Sequence, residues 1–160
     1  MIMLALLLTM AAANEPSPAR PAVPFQKHAE VDCDWMMKSP AEELIRGSIG
    51  QGDDDPILYL VDPVFDGWSD TEDHSVELSA GGSGGRAKAR AYATHGGGSP
   101  GSLGIYLNAE ARQIVGGATA VQVWKDGKPV LNLAFANTPS AAELDACVRP
   151  PGWDEHSDSE

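Results

Sequence analysis

Ala118-Thr119-Ala120-Val121-Gln122-Val123-Trp124-Lys125-Asp126-Gly127-Lys128-Pro129-Val130-Leu131-Asn132-Leu133-Ala134-Phe135-Ala136 holds two apolar-alternating runs about a Lys-Asp-Gly-Lys centre. Alternation at period 2 marks a strand with one buried face. Asp-Gly is a strong hairpin signal, because a type I′ turn needs φ > 0 at both central residues. Downstream, Ser140 and Glu143 have the spacing of a capping box. The short helix they open carries Cys147, one of two cysteines in the chain. This strand–turn–strand–helix unit anchors an α+β reading: a predominantly antiparallel β-sheet of about seven strands with two or three short helices.

Further elements lie upstream. Ala87, Ala89, Ala91 and Ala93 alternate with Lys88, Arg90, Tyr92 and Thr94. Alanine, lysine and arginine favour a helix by propensity, while period 2 favours a strand. The short run between two glycine clusters decides for a strand, with Arg86, Lys88 and Arg90 on one side. Ile57-Leu58-Tyr59-Leu60-Val61 reads as a central strand covered on both faces. Residues 74–80 alternate, with Val76 and Leu78 against Ser75, Glu77 and Ser79, and residues 103–107 make a short strand. Asn108 caps a helix through Val115. Val31, Cys33 and Trp35 alternate as an opening strand. Ser39-Pro40-Ala41-Glu42 offers a second helix start, with Leu44 and Ile45 on its buried face and Gly47 at its end.

Composition narrows the function classes. Hydrophobic residues make 42% of the 160 and aromatics only 6%, so the expected core is Val, Leu, Ile and Ala. Twenty-three acidic residues against 11 basic give a net charge of −12. Such a field repels phosphate backbones and anionic lipid surfaces, which disfavours nucleic acid and membrane partners.

The apolar run from Ile2 to Met10, followed by Ala11-Ala12-Ala13, has the outline of a signal peptide. It is too short to span a bilayer, which takes about 20 apolar residues. The expected organisation is a signal peptide at 1–13, a Pro-rich linker at 14–24 and one β-rich domain at 25–149. An acidic, disordered tail follows at 150–160. The expected location is periplasmic or secreted. In an oxidising compartment Cys33 and Cys147 are most simply one structural disulfide; two buried thiols are the rival reading.

Motifs that suggest catalysis have compositional explanations. Residues 81–85 and 97–101 both match G-x-S-x-G, and His95-Gly96-Gly97-Gly98 matches a lipase oxyanion loop. A nucleophile elbow needs a strained strand-to-helix turn, and no helix is expected after either match. Gly82 to Ala87 fits a relaxed dinucleotide fingerprint but lacks the acidic residue about 20 positions on. His28, His74, His95 and His156 share no zinc-ligand spacing. His74, at a strand start, reads as a solvent-edge residue. The acidic loop at 62–73, with Asp62, Asp66, Asp70, Glu72 and Asp73, is the better ligand candidate, for a hard cation such as calcium. Val64 and Asp73 break its match to an EF-hand loop.

Residues 107–115, the hairpin at 120–135 and the stretch from Ala142 to Cys147 together resemble invasion-associated locus B-like proteins. Those are small exported proteins of alphaproteobacteria with a helix–hairpin–helix–Cys ending. The resemblance covers about 45 residues, and rests on apolar positions alone. It implies a β-rich periplasmic or secreted domain with a link to envelope or host contact, and lends no active site.

The resulting expectation is a small exported non-enzymatic domain, without catalytic, cofactor or metal residues, that binds or supports another envelope component. Its partner is an envelope or extracellular protein. Trp68, a loop aromatic, and the basic set Arg86, Lys88 and Arg90 are the candidate contacts. The plainer role of the basic set is pairing with the acidic loop or tail. The alternative function is a cation- or small-ligand-binding module built on the loop at 62–73.

Overall fold

A computed structural model describes residues 22–28, 33–38, 45–81 and 85–148. Among these residues lie nine strands: β1 (Val23–Lys27), β2 (Trp35–Lys38), β3 (Ile45–Gly50), β4 (Ile57–Val61), β5 (His74–Ala80), β6 (Ala87–Thr94), β7 (Ser102–Tyr106), β8 (Ala120–Lys125) and β9 (Lys128–Ala136). Helices α1 (Ala109–Val115) and α2 (Ala141–Asp145) and a 3-10 turn at Pro63–Phe65 complete the set. The strands close into a barrel in the order β1-β2-β3-β4-β7-β6-β5-β8-β9. Neighbours are antiparallel except at the seam, where Val23 and Pro24 of β1 run parallel to Phe135 and Ala136 of β9. The expected sheet of about seven antiparallel strands is therefore corrected to a closed, mixed barrel of nine. Closure depends on that parallel seam, which joins residues more than 100 positions apart, and no local pattern reports it.

The interior is filled in rows, as a small barrel requires. Leu58 faces Ile105, which faces Ala91, while Leu60, Leu103 and Ala93 form the next row. Leu78 and Ala87 pair below them. All of these are at most 2% exposed. The four inward alanines of β6 leave its outer positions Lys88, Arg90 and Thr94 in solvent. One end of the barrel is covered by α1, which packs against β5, β6 and α2 and buries Ala111 and Val115. The opposite end receives the acidic loop at 62–73, whose Phe65 is fully buried.

At the helix-covered end, Cys33 and Cys147 form the expected disulfide, with their Cα atoms 5.5 Å apart and the two residues 114 positions apart in sequence. Arg112 of α1 sits beside it, 8% exposed. Its Nε donates to Asp145 Oδ1 at 2.6 Å, and its Nη1 donates to Asp55 Oδ1 at 2.8 Å and to the Leu107 carbonyl at 2.7 Å. One guanidinium thus joins both helices to the β3–β4 turn.

Local readings fared according to how local their causes are. The turn at Asp126 and Gly127 has φ of 51° and 73°, as a type I′ hairpin demands. Asn108 caps α1 through its side chain, and Ser140 with Glu143 makes a full capping box at α2. The helix expected to bury Ile45 and end at Gly47 is corrected: both residues belong to β3. Gly47 is there for close approach, since a Cβ on it would strike the Met37 side chain and the Tyr59 carbonyl. The helix start at Ser39 to Glu42 and Leu44 lie outside the described residues. So do the signal peptide at 1–13, residues 14–21 of the linker and the tail at 150–160. Strand β1 begins at Val23, inside the stretch assigned to the linker. The expected strand through Cys33 to Trp35 is interrupted: Cys33 has φ of 64° and β2 starts at Trp35.

Candidate functional site

Strand β6 places Arg86, just before its first residue, Lys88 and Arg90 on the outer surface. Each arginine lies on an aromatic ring: Arg90 on Tyr106 of the neighbouring β7, and Arg86 on Trp124 of β8, which lies one strand beyond β5. The Arg86 guanidinium is 3.7 Å from the Trp124 ring centroid and the Arg90 guanidinium 4.2 Å from that of Tyr106. Stacking of this kind holds a planar cation while leaving its edge free for bidentate bonding. Trp124 is fixed by its Nε1, which donates to Ser79 Oγ at 3.0 Å.

The arginines also have acidic neighbours. Arg86 pairs with Glu77 at 3.3 Å and Arg90 with Asp73 at 3.5 Å. The second pair confirms one part of the expected pairing with the acidic loop. Both of its side chains are 60% exposed, so the pair is readily exchanged for another. Lys88 lies between the arginines, and among the described residues no carboxylate comes within ion-pair distance of it. Its backbone carbonyl accepts from Asn108 Nδ2 at 2.8 Å, which ties the row to the start of α1. Lys88, Arg90 and Asn108 line an open concavity of about 360 Å³ together with Asp73, His74 and Ser75. Two cationic heads and an amide over such a hollow suit an anion far better than a cation.

Trp68 does not join this face. It is half-buried at the far end of the barrel, edge-on to Phe65 at 5.4 Å and to His74 at 5.0 Å, with Lys125 Nζ 4.1 Å from its ring centroid. His74 is 7% exposed, which corrects its expected place at the solvent edge. Its Nε2 donates to the Ser69 carbonyl at 2.7 Å, and its Nδ1 faces Lys125 Nζ at 3.4 Å. That network seats the acidic loop, and it uses the imidazole structurally.

No protein-family profile, curated protein or solved structure matches this chain.

The catalytic motifs have structural placements. Residues 81–85 join antiparallel β5 and β6, and residues 95–101 join antiparallel β6 and β7. Neither opens a helix, as a nucleophile elbow or a dinucleotide turn would. His95 Nε2 donates to the Trp68 carbonyl at 2.6 Å. In the acidic loop, Asp62 caps the 3-10 turn by accepting from Val64 N, Asp66 accepts from Gly101 N at 2.6 Å, and Asp73 serves Arg90. Among the described residues no group of three His, Cys, Asp or Glu converges as a metal site would need.

One cluster beside the basic row escaped the sequence reading. On the outer face, Tyr92 Oη donates to Tyr59 Oη at 2.7 Å, and the Tyr92 ring lies 5.6 Å from that of Tyr106. Burial, then the hydrogen bond to Tyr59, holds the Tyr92 phenol above its ordinary range. Only Tyr92 was legible, as an outward residue of alternating β6; Tyr59 and Tyr106 lie in β4 and β7, whose sequences do not alternate. Their meeting depends on β7 lying between β4 and β6.

Proposed function

We propose that this chain is an exported, non-enzymatic binding module whose disulfide-stapled barrel presents the outer face of β6 to an acidic surface of another envelope protein. The observation that carries the reading is the row Arg86, Lys88 and Arg90, two of its members stacked on rings, on a chain of net charge −12. A cationic strip on an acidic body directs an anionic partner to one face and repels it elsewhere. Export is supported by the apolar leader and by the disulfide. Among the described residues no helix is long and apolar enough to cross a membrane. The helix–hairpin–helix–Cys outline, with its resemblance to invasion-associated locus B-like proteins, supports the same assignment to the cell envelope.

The test compares wild type with Lys88→Glu/Arg90→Glu as bait for crosslinked periplasmic and outer-envelope fractions, at matched thermal stability. The expected result is a discrete captured protein whose yield falls at least tenfold in the variant and in 0.5 M salt. A capture profile unchanged by charge reversal would remove this face from consideration.

A further inference from the structure

We propose that His74 makes the seating of the acidic loop dependent on pH, and through it the freedom of the basic row. In acid a positive charge on the imidazole drives Lys125 away, the stretch from Trp68 to Asp73 loosens, and Asp73 releases Arg90. This switch rests on the functional reading of the row and adds its regulation.

Both contacts of the imidazole hold it as one neutral tautomer. A carbonyl only accepts, so the bond to the Ser69 carbonyl at 2.7 Å fixes a proton on Nε2. Nδ1 is then a bare acceptor, and Lys125 Nζ donates toward it from 3.4 Å. A proton on Nδ1 removes that acceptor and sets two cations against each other. His74 is buried, and a low local dielectric strengthens the repulsion. Histidine is the side chain that changes charge between about pH 5 and 8.

The surrounding charges do not offset it. On β6, Arg90 is engaged with Asp73, and Lys88 lines the same hollow as His74. On β9, Lys128 stands opposite Lys125. On α1, Arg112 is bound to Asp55 and Asp145, and Glu110 is exposed. In the loop, Asp66 accepts from Gly101 N, while Asp70 and Glu72 are exposed. His95 is exposed, and its Nε2 donates to the Trp68 carbonyl in either charge state. Among the described residues no carboxylate lies within ion-pair distance of His74 or Lys125.

Lys125 is therefore the part that gives way. Its ammonium lies 4.1 Å from the Trp68 ring centroid, so its departure takes a cation–π contact from the loop. Buried Phe65 keeps the first half of the loop docked. The second half ends at Asp73, whose exposed pair with Arg90 at 3.5 Å is easily given up. Arg90 then keeps its place on Tyr106 and offers its free edge to an anionic partner.

Fluorine NMR of the full chain labelled with 5-fluorotryptophan tests this, the Trp68 signal being assigned by its loss in Trp68→Phe. Between pH 7.5 and 5.5 that signal should move toward the position of free fluorotryptophan, in step with the His74 Cε1 proton. The Trp35 and Trp124 signals should stay in place. Lys125→Met, which leaves no cation to repel, should shrink the step at least fivefold, and His95→Gln should keep it. Binding of poly-L-glutamate should tighten at least threefold over the same interval. Asp73→Asn should bind that tightly already at pH 7.5 while retaining the Trp68 step. A flat Trp68 signal overturns the proposal, as does a step of equal size in Lys125→Met or one shared by Trp35 and Trp124. A Trp68 step with unchanged poly-L-glutamate binding, in a protein whose envelope capture depends on Lys88 and Arg90, removes the regulation and leaves the functional reading standing. Envelope capture indifferent to Lys88→Glu/Arg90→Glu would instead remove the functional reading and leave the pH-dependent loop.

Discussion

Tyr92 shows how a surface residue acquires interior properties. Its ring lies across Gly104, where any Cβ would meet the ring, and its hydroxyl is committed to Tyr59. With its phenol held above the ordinary range, the folded state keeps the proton after the unfolded chain has released it. The resulting stability is fully present below about pH 10, the unfolded value, and is lost as pH rises beyond it. Tyr92→Phe should flatten the fall in stability between about pH 10 and 12, and remove the late step from absorbance titration at 295 nm. Retention of that step in the variant would assign it to another group. Glu143 provides the opposite sign. Hydrogen bonds from the Ser140 backbone and hydroxyl hold its carboxyl below the ordinary range. Its contribution is present above the unfolded value and fades as pH falls through the lowered one.

At the scale of elements, Arg112 decides how α1, α2 and the β3–β4 turn meet. Neither helix exceeds seven residues, too few to be stable without tertiary support. Arg112→Ala would leave Asp55 and Asp145 without their cation and the Leu107 carbonyl without a donor. Discounted for the partial exposure of both carboxylates, the loss should be about 2–3 kcal/mol in urea unfolding. Arg112→Lys should recover less than half, because an ammonium cannot reproduce the guanidinium fork. A cost below about 0.5 kcal/mol for Arg112→Ala, the range of ordinary surface changes, would show that packing alone joins the elements. The sequence offered no sign of this role, since Asp55 lies 57 residues from Arg112 and Asp145 lies 33 away.

For the whole molecule the closing seam is the weak point. Among the described residues β1 meets β9 at two residue pairs, and the disulfide holds the β1–β2 connection to the end of α2. For cysteines 114 residues apart, loop entropy alone predicts a stabilisation of up to about 4–5 kcal/mol. The Cys33→Ser/Cys147→Ser variant should lose a large part of it. Amide exchange should rise first in β1 and β2 while β4 to β7 stay protected. Uniformly faster exchange across all strands would mean that the bridge supports global stability and not closure.

What the sequence determined by itself was local. Alternation marked β5, β6, β8 and β9, because buried and wet faces trade places every residue, and a continuous apolar run marked β4. Asp126 and Gly127 fixed the hairpin through their own φ angles, and Asn108 and Ser140 fixed helix starts through bonds spanning three residues. The basic set Arg86, Lys88 and Arg90 was legible for the same reason: one strand supplies all three. Only the tertiary structure decided the rest. β3 formed where helix signals stood, because Ile45 to Gly50 found ladders on both sides and Met37 needed the space at Gly47. The parallel seam, the rings beneath the arginines and the carboxylates that hold Arg112 depend on partners from 16 to 112 positions away. A short stretch cannot encode such meetings, because they exist only once the chain has closed.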